Sequence, residues 1–170
     1  GIKMCESYNI QYKTNYKCLM PTNTFGPNDN YDALNSHFLP ALIKKVHDLR
    51  LKNKKELILW GNGLAKREVV YVDDLADACI FFMKKNFYGT TINIGSGKDF
   101  SIKEYAKKIL NIIIPKKKIK IKYDLSKPNG TPRKVLDIKL ANKYGWRPKT
   151  KLDVAIKKTY KNFLENNKIV

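Results

Sequence analysis

The chain alternates short apolar runs with longer helical patterns, and this alternation constrains the fold more than any other feature of the sequence. The runs with strand character are residues 16–20, 57–60, 67–72, 91–94 and 119–123. The helical patterns are residues 2–12, 37–51, 73–85, 101–112, 137–145 and 152–166. Strands that alternate with helices predict the α/β class. A chain of 170 residues with 43% apolar content can bury a core in one domain or one large lobe.

Polar residues before several helical patterns predict where those helices begin. Ser101 and Glu104 have the spacing of a capping box, and Asp73 is predicted to cap the helix that follows it. Asn35 or Ser36 is predicted to cap the helix over residues 37–51. No capping residue precedes the first helix, so we expect that helix to begin upstream of Gly1.

The formal net charge of +19 raises the question of a nucleic-acid partner. The lysines are scattered along the chain, and their densest run, residues 116–122, alternates with Ile at its end like a surface strand. No helix-turn-helix pattern or aromatic-plus-basic RNA motif is visible, so we predict no nucleic-acid partner. A binding site for a diphosphate would explain part of the positive charge with fewer assumptions than a nucleic-acid partner would.

Cysteine usage and hydropathy indicate a cellular compartment. The three cysteines, Cys5, Cys18 and Cys79, are widely spaced without a CxxC pair, and the chain has two histidines. This pattern argues against a zinc site or a disulfide framework and predicts no metal. We predict that all three cysteines are small buried hydrophobes. The apolar runs are too short to cross a bilayer, so a cytoplasmic protein without a membrane partner is predicted.

The chemistry of the residues alone indicates only a soluble α/β domain with polar, basic loops. The sequence has no GxGxxG or GxxxxGK[ST] loop, and the GxG pieces at 61–63 and 95–97 are typical of turns.

Seven segments, in order, resemble known enzymes. The segments PTNTFGP (21–27), REVVYVDDLADA (67–78), TINIGSG (91–97) and GWRP (145–148) resemble the C-terminal half of extended short-chain dehydrogenases. Three others are similar to GDP-L-fucose synthases within that superfamily: NDNYDALNSHFLPA (28–41), LWGNGLAKR (59–67) and DLSKPNGTPRKVLD (124–137). The match spans essentially the whole chain.

The resemblance implies a fold and a reaction. Residues 1–170 would be the C-terminal portion of a NAD-dependent epimerase/dehydratase-type domain, holding the last strands and helices of a Rossmann-like parallel sheet. A small α/β substrate-binding lobe would occupy approximately 28–66 and 96–150. Such enzymes epimerise GDP-4-dehydro-6-deoxy-D-mannose at C3 and C5 and reduce the C4 ketone with NADPH. Their dinucleotide loop, Ser-Tyr-Lys triad and catalytic Cys lie upstream of Gly1, so the chain alone is expected to be inactive and marginally stable.

His37 is the one catalytic residue that the resemblance places in this chain. It matches the epimerisation acid/base, a task that needs a group able to gain and lose a proton near pH 7. The alternative is that His37 only helps to start a helix. The resemblance also puts His37 in the NADP(H)-binding set, together with Pro21, Thr22, Asn23 and Thr24. Asn23 is the best candidate among them for a contact with the nicotinamide end.

Five residues are implied to bind the GDP-sugar substrate. Arg67 can donate hydrogen bonds to two phosphate oxygens at once. Trp60 offers a broad aromatic face to a ligand, although Trp60 could equally be a half-buried aromatic of a strand. Lys45 stands where relatives often have Arg, and Asn129 stands where many have Asp, so both contacts would be altered. Lys134 matches a substrate contact, and an ordinary Pro/Asn/Gly turn remains the alternative for its loop.

Three other interpretations stay open. The chain could belong to another nucleotide-sugar epimerase or dehydratase of the same superfamily, or it could be a basic module that binds polyanions. It could also be a non-catalytic scaffold or the product of a truncated reading frame. By analogy with relatives, the full-length enzyme is predicted to be a homodimer.

Overall fold

The computed structural model describes residues 1–32, 35–86 and 89–166, and it confirms the α/β class. The helices are α1 (Ile2–Tyr12), α2 (Phe38–Leu51), α3 (Val72–Met83), α4 (Ile102–Ile113), α5 (Lys139–Lys143) and α6 (Leu152–Asn166). The strands are β1 (Cys18–Pro21), β2 (Asn23–Phe25), β3 (Glu56–Trp60), β4 (Lys66–Tyr71), β5 (Thr91–Ile94), β6 (Asp99–Ser101), β7 (Lys120–Asp124) and β8 (Arg133–Lys134).

Parallel strand pairing brings together segments that are far apart in the chain. Strand β1 pairs with β5, and β3 pairs with β7 so that Trp60 lies opposite Asp124. Strand β4 pairs with β8 so that Arg67 lies opposite Lys134, and it also lies between β2 and β6. Parallel partners need long crossovers, and here helices lie in the chain between them.

The five predicted strands are confirmed, with shifts of one or two residues at some ends. The prediction missed three short strands, because β2 and β8 lie in segments that we predicted as loops and β6 follows a predicted turn. Polar residues dominate these strands, and pairing with β4 rather than an apolar run makes them strands.

The capping predictions have mixed outcomes. The Ser101–Glu104 capping box is confirmed, since the Ser101 side chain accepts the Glu104 N–H while the Glu104 carboxylate accepts the Ser101 N–H. The predicted cap at Asn35 or Ser36 is wrong, because His37 is the N-cap residue of α2 and makes no side-chain cap. The predicted cap at Asp73 is also wrong.

Strand β4 explains that second error, because it runs directly into α3 without a loop. Tyr71, still extended, is therefore the N-cap residue of α3. Asp73 and Asp74 instead occupy the first turn of α3, where the helix dipole favours negative charge. Asp74 is buried and its carboxylate accepts the N–H of Lys149 at 3.2 Å.

The chain divides into two compact units. Unit 1 comprises Gly1–Thr24, Glu68–Lys98 and Val135–Lys149, and unit 2 comprises Phe25–Arg67, Asp99–Lys134 and Thr150–Val170. The core of unit 1 is a cluster of buried residues on α3, β5 and the segment 141–146. Its members are Ala78, Phe82, Ile92, Ile94, Ala141 and Trp146. The indole N–H of Trp146 donates to the Asp77 carboxylate at 3.2 Å.

The core of unit 2 lies mainly among helices α2, α4 and α6. Its fully buried members include Leu39, Ile43, Val46, Tyr105, Ile109 and Ile156. Tyr105 stacks edge-on against Phe38, and its hydroxyl donates to the Arg67 carbonyl oxygen at 2.9 Å. That bond connects α4 to β4 within the unit.

The cysteine burial prediction is wrong in part. All three cysteines are free, but Cys79 is exposed and Cys5 and Cys18 are only half-buried. Cys79 is on the outward side of α3 beside Ile80, which is also exposed, so its apolar sequence neighbours did not indicate burial. Among the described helices, none has both the length and the apolar character needed to cross a membrane.

Candidate functional site

Trp60 is an exposed aromatic at the carboxyl end of β3. Burial alternates along this strand, so Leu57 and Leu59 face the core while Ile58 and Trp60 face solvent. The Lys45 ammonium on α2 lies 4.8 Å from the centroid of the Trp60 ring, within the range of a cation–π interaction. Partial desolvation at this position lowers the pKa of Lys45.

A second ammonium, that of Lys127, lies 5.7 Å from the same ring centroid. The Asp124 carbonyl oxygen accepts the Lys127 N–H at 3.3 Å and the Gly61 N–H at 2.9 Å. The Asp124 carboxylate accepts the hydroxyl and the N–H of Ser126, and its hydrogen bond from the Ser126 side chain is the main reason that the pKa of Asp124 is lowered. This network holds the turn after Trp60 against the turn that carries Lys127.

Asn129 also holds the turn that follows Trp60. Its side-chain oxygen accepts the Asn62 N–H at 2.7 Å. Gly61 has a φ of +64°, and a side chain there would collide with Asn129, whose Cα would be 3.1 Å from the added carbon. Because the contact uses a carbonyl-type oxygen, a carboxylate at this position could make the same bond. We call Lys45, Trp60, Gly61–Asn62, Lys127 and Asn129 the Trp60 cluster.

Arg67 joins β4 to the loop that carries Asn129. Its Nη1 donates to the carbonyl oxygens of Lys66 at 2.7 Å and Thr131 at 2.6 Å. Its Nη2 would lie 3.2 Å from a side chain added at Gly130. In the described part of the chain, Nη2 and Nε have no hydrogen-bond partner, so part of the guanidinium fork remains available to a ligand.

Lys134 lies opposite Arg67 in the β4–β8 pair, and its side chain is exposed. Its neighbour Arg133 is instead paired with Asp99 at 2.5 Å, and this hydrogen bond is the main reason that the pKa of Asp99 is lowered. Lys134 makes no ion pair with any residue that the structure describes. The structure therefore brings four predicted substrate residues, Lys45, Trp60, Arg67 and Asn129, into one connected set, with Lys134 at its end.

His37 lies at the start of α2 in unit 2. It is exposed, and its carbonyl oxygen accepts the Ala41 N–H at 3.0 Å. Its imidazole makes no hydrogen bond within residues 1–32, 35–86 and 89–166.

The predicted cofactor residues Pro21, Thr22, Asn23 and Thr24 lie in unit 1, where β1 ends and β2 begins. The N–H of Thr22 donates to Ile94 O at 2.9 Å, which continues the β1–β5 pairing. The Asn23 amide nitrogen donates to the Glu68 carbonyl oxygen at 2.9 Å, and the Thr22 hydroxyl donates to the same oxygen at 3.3 Å. The side-chain oxygen of Asn23 accepts no hydrogen bond from a described residue.

Glu68 is the centre of this part of unit 1, and the sequence analysis missed it. Its side chain is fully buried, and its two carboxylate oxygens accept the N–H groups of Gly97 at 2.6 Å and Leu136 at 2.7 Å. Any side chain at Gly95 would collide with this carboxylate. A charged residue inside the apolar strand 67–72 was the signal that could have identified it.

No group of three or more metal-ligating side chains occurs within the described residues. The Trp60 cluster and Arg67 offer cations, an amide and an exposed indole, and His37 offers an imidazole. Cations and a guanidinium fork bind phosphate oxygens, and an exposed indole can stack on a planar ring.

Comparisons with known proteins agree with this fold. Residues 1–95 match the model of the NAD dependent epimerase/dehydratase family. The chain is 43% identical to the probable GDP-L-fucose synthase 1 of Oryza sativa subsp. japonica over 166 residues, which cover 98% of this chain and 50% of that protein. It is 40% identical to the GDP-L-fucose synthase of Escherichia coli strain K12, covering 98% of this chain and 54% of that protein.

A solved structure supports the same relationship. The chain superposes on a GDP-6-OMe-4-keto-L-xylo-heptose reductase from Campylobacter jejuni with a TM-score of 0.83 and 31% identity, covering 98% of this chain and 58% of that one. The chain spans about half the length of the curated relatives that it matches. The chain belongs to the NAD dependent epimerase/dehydratase family.

Proposed function

We propose that this chain is the C-terminal half of a GDP-L-fucose synthase. The whole enzyme would convert GDP-4-dehydro-6-deoxy-D-mannose to GDP-L-fucose by epimerisation at C3 and C5 and reduction at C4. The observation that carries the proposal is the Trp60 cluster, in which two ammonium groups lie over an exposed indole beside an asparagine, with the guanidinium of Arg67 bonded to the same loop as that asparagine. A planar base attached to a diphosphate has the complementary chemistry.

Unit 2 is the proposed substrate-binding lobe. The lobe predicted at approximately 28–66 and 96–150 shares most of its residues with Phe25–Arg67 and Asp99–Lys134 of unit 2, whereas Val135–Lys149 is part of unit 1. In this lobe, Nη2 and Nε of Arg67 and the ammonium of Lys134 would bind the diphosphate. Lys45 would contribute a single positive charge, whereas an arginine at this position would donate two parallel hydrogen bonds.

NADPH is the proposed cofactor, and it would supply the hydride for the reduction. The segment 21–24 is suited to its amide-bearing end, because the nitrogen of Asn23 is already bonded to Glu68 and only its oxygen remains to accept a hydrogen bond. The Thr22 hydroxyl is directed to the same carbonyl. These residues would hold and orient the nicotinamide, while the dinucleotide loop is expected in the preceding half of the protein.

His37 is the proposed acid/base for the epimerisation. Inversion of a carbon next to a ketone requires removal of a proton from one face and delivery of a proton to the other. An exposed imidazole that makes no hydrogen bond to any described residue can take part in either transfer. The proposal also includes a homodimer, by analogy with relatives, and a cytoplasmic location, supported by three free cysteines.

Isothermal titration calorimetry of this chain with GDP, UDP and a random oligonucleotide, each at two salt concentrations, tests the proposal. We expect GDP to bind more tightly than UDP or the oligonucleotide, and we expect Trp60→Leu to weaken GDP binding. Ile58→Thr is the matched control, because Ile58 lies on the same exposed face of the same strand. Arg67→Ala should also weaken GDP binding, partly through loss of its bond to Thr131.

Equal affinity for GDP and UDP would favour another nucleotide-sugar epimerase or dehydratase. The net charge of +19 supports a second candidate, a polyanion-binding module. Oligonucleotide binding that falls steeply with salt, without preference for GDP, would favour that module. Absence of GDP binding to the wild-type chain would refute the proposed role of the Trp60 cluster.

A further inference from the structure

We infer that Lys127 is a further substrate-binding residue, whose ammonium binds a phosphate of a nucleoside diphosphate held at the Trp60 cluster. This inference rests on the proposed function and adds a residue that the sequence analysis did not select. Three observations carry it: the backbone position of Lys127, the lack of an ion pair at its ammonium within the described residues, and the two cations that share one aromatic ring.

The backbone of Lys127 is held beside Trp60 by hydrogen bonds. Trp60 and Asp124 lie opposite each other where β3 and β7 end, and the Asp124 carbonyl oxygen accepts N–H groups from both Gly61 and Lys127. The turn at Ser126 is closed by the Asp124 carboxylate. The Lys127 stem therefore starts from a defined point at the carboxyl end of two parallel strands, where ligands of α/β proteins commonly bind.

The ammonium of Lys127 forms no ion pair with a carboxylate of the described residues, although its charge helps to lower the pKa of the Asp124 carboxyl. Two other lysines of unit 2 do have one: Lys122 pairs with Glu56 at 2.7 Å, and Lys108 pairs with Asp153 at 3.2 Å. Lys45 also lacks a carboxylate partner in the same described ranges. Lys45 and Lys127 are, within the described residues, the two lysines that lie over Trp60.

Two cations on one exposed indole form a weak arrangement that an anion can displace. A cation–π contact at an exposed site is weak, whereas a charge-assisted hydrogen bond to phosphate is stronger. The 5.7 Å separation of Lys127 from the ring is close to the outer limit of such contacts. A diphosphate beside Trp60 would therefore draw the Lys127 ammonium away from the indole.

Titration of Lys127→Met with GDP and with guanosine tests this role, with Trp60 emission and calorimetry as readouts. Met retains most of the stem and removes the charge. We expect GDP to bind about tenfold more weakly, the loss of one partly exposed charge-assisted bond, and guanosine to bind as it does to wild type. Lys127→Arg should keep most of the GDP affinity. Lys118→Met is the matched control, because it removes the same charge from an exposed lysine away from Trp60.

The possible outcomes separate this inference from the proposed function. If Lys127→Met and Lys118→Met bind GDP equally well while the wild type prefers GDP to UDP, the inference is wrong and the proposed function stands. Equal loss of GDP and guanosine binding would show that Lys127 maintains the site and does not bind phosphate. If the wild-type chain does not bind GDP, both the inference and the proposed function fail.

Discussion

Replacement of Glu68 by Gln should destabilise unit 1 by more than any surface change of similar size. The substitution is nearly isosteric, but it changes one of the two acceptor oxygens into an NH2 donor. The carboxylate of Glu68 accepts the N–H groups of Gly97 and Leu136, so one of these donors would face another donor in a site without solvent access.

The expected magnitude follows from the lost bond. A hydrogen bond to a charged group contributes about 1.5–3 kcal/mol, and a buried donor without a partner adds a desolvation penalty of about 1–3 kcal/mol. These terms overlap, so we expect Glu68→Gln to lower the free energy of unfolding by about 3 kcal/mol. Glu56→Gln is the matched control, because Glu56 forms an exposed pair with Lys122 that contributes at most about 1 kcal/mol.

Urea denaturation of the wild-type chain and both variants measures the difference, and hydrogen exchange locates it. In Glu68→Gln, the amide protons of Gly97 or Leu136 should exchange faster than in wild type, while those of α4 in unit 2 keep their relative protection. If Glu68→Gln and Glu56→Gln unfold at free energies within about 0.5 kcal/mol of each other, the inferred role of Glu68 is wrong.

Two further predictions concern the interior of each unit. Gly95→Ala should destabilise the chain by about 1–3 kcal/mol in the same urea assay, because the added carbon would lie 2.9 Å from Glu68 Cδ. Gly89→Ala cannot serve as its control, because Gly89 has a φ of +91° and a side chain there would be strained for a different reason. Burial lowers the pKa of His47 below its ordinary value of 6.5, with Arg50 and Lys44 adding to the effect and Asp48 opposing it. His47 therefore binds a proton more strongly in the unfolded chain than in the folded one. The part of the free energy of unfolding that depends on His47 should be constant above pH 6.5 and should fall as the pH drops below it. His47→Gln should reduce this fall while His37→Gln retains it, and an equal pH dependence in both variants would contradict the reasoning.

Much of the fold could be predicted because its signals are local. The capping box at Ser101, the apolar strand at residues 91–94 and the final helix all depend on residues that are neighbours in the chain. The caps at Asn35 or Ser36 and at Asp73 failed because the extended residues from which the helices begin are His37 before α2 and Tyr71 at the end of β4. Whether a polar residue caps a helix depends on the path of the chain before it.

The candidate site was predicted only in part. Resemblance identified Lys45, Trp60, Arg67 and Asn129, and the structure adds their contacts: a lysine over the indole, an amide in the Gly61 turn and an arginine bonded to Thr131. Lys127 was missed because lysine is abundant throughout the chain, and only its distance from Trp60 distinguishes it.

The sequence by itself determined the α/β class, the main helices and strands, and the identity of most candidate ligand-binding residues. Periodicity and capping act over one or two turns of chain, so they can be read without coordinates. Only the tertiary structure decided that the short polar strands β2, β6 and β8 form against β4, and that Glu68 is buried. It also decided which two lysines share Trp60. Each of these depends on pairing between segments that are distant in the chain, and neither composition nor spacing encodes the positions of both partners.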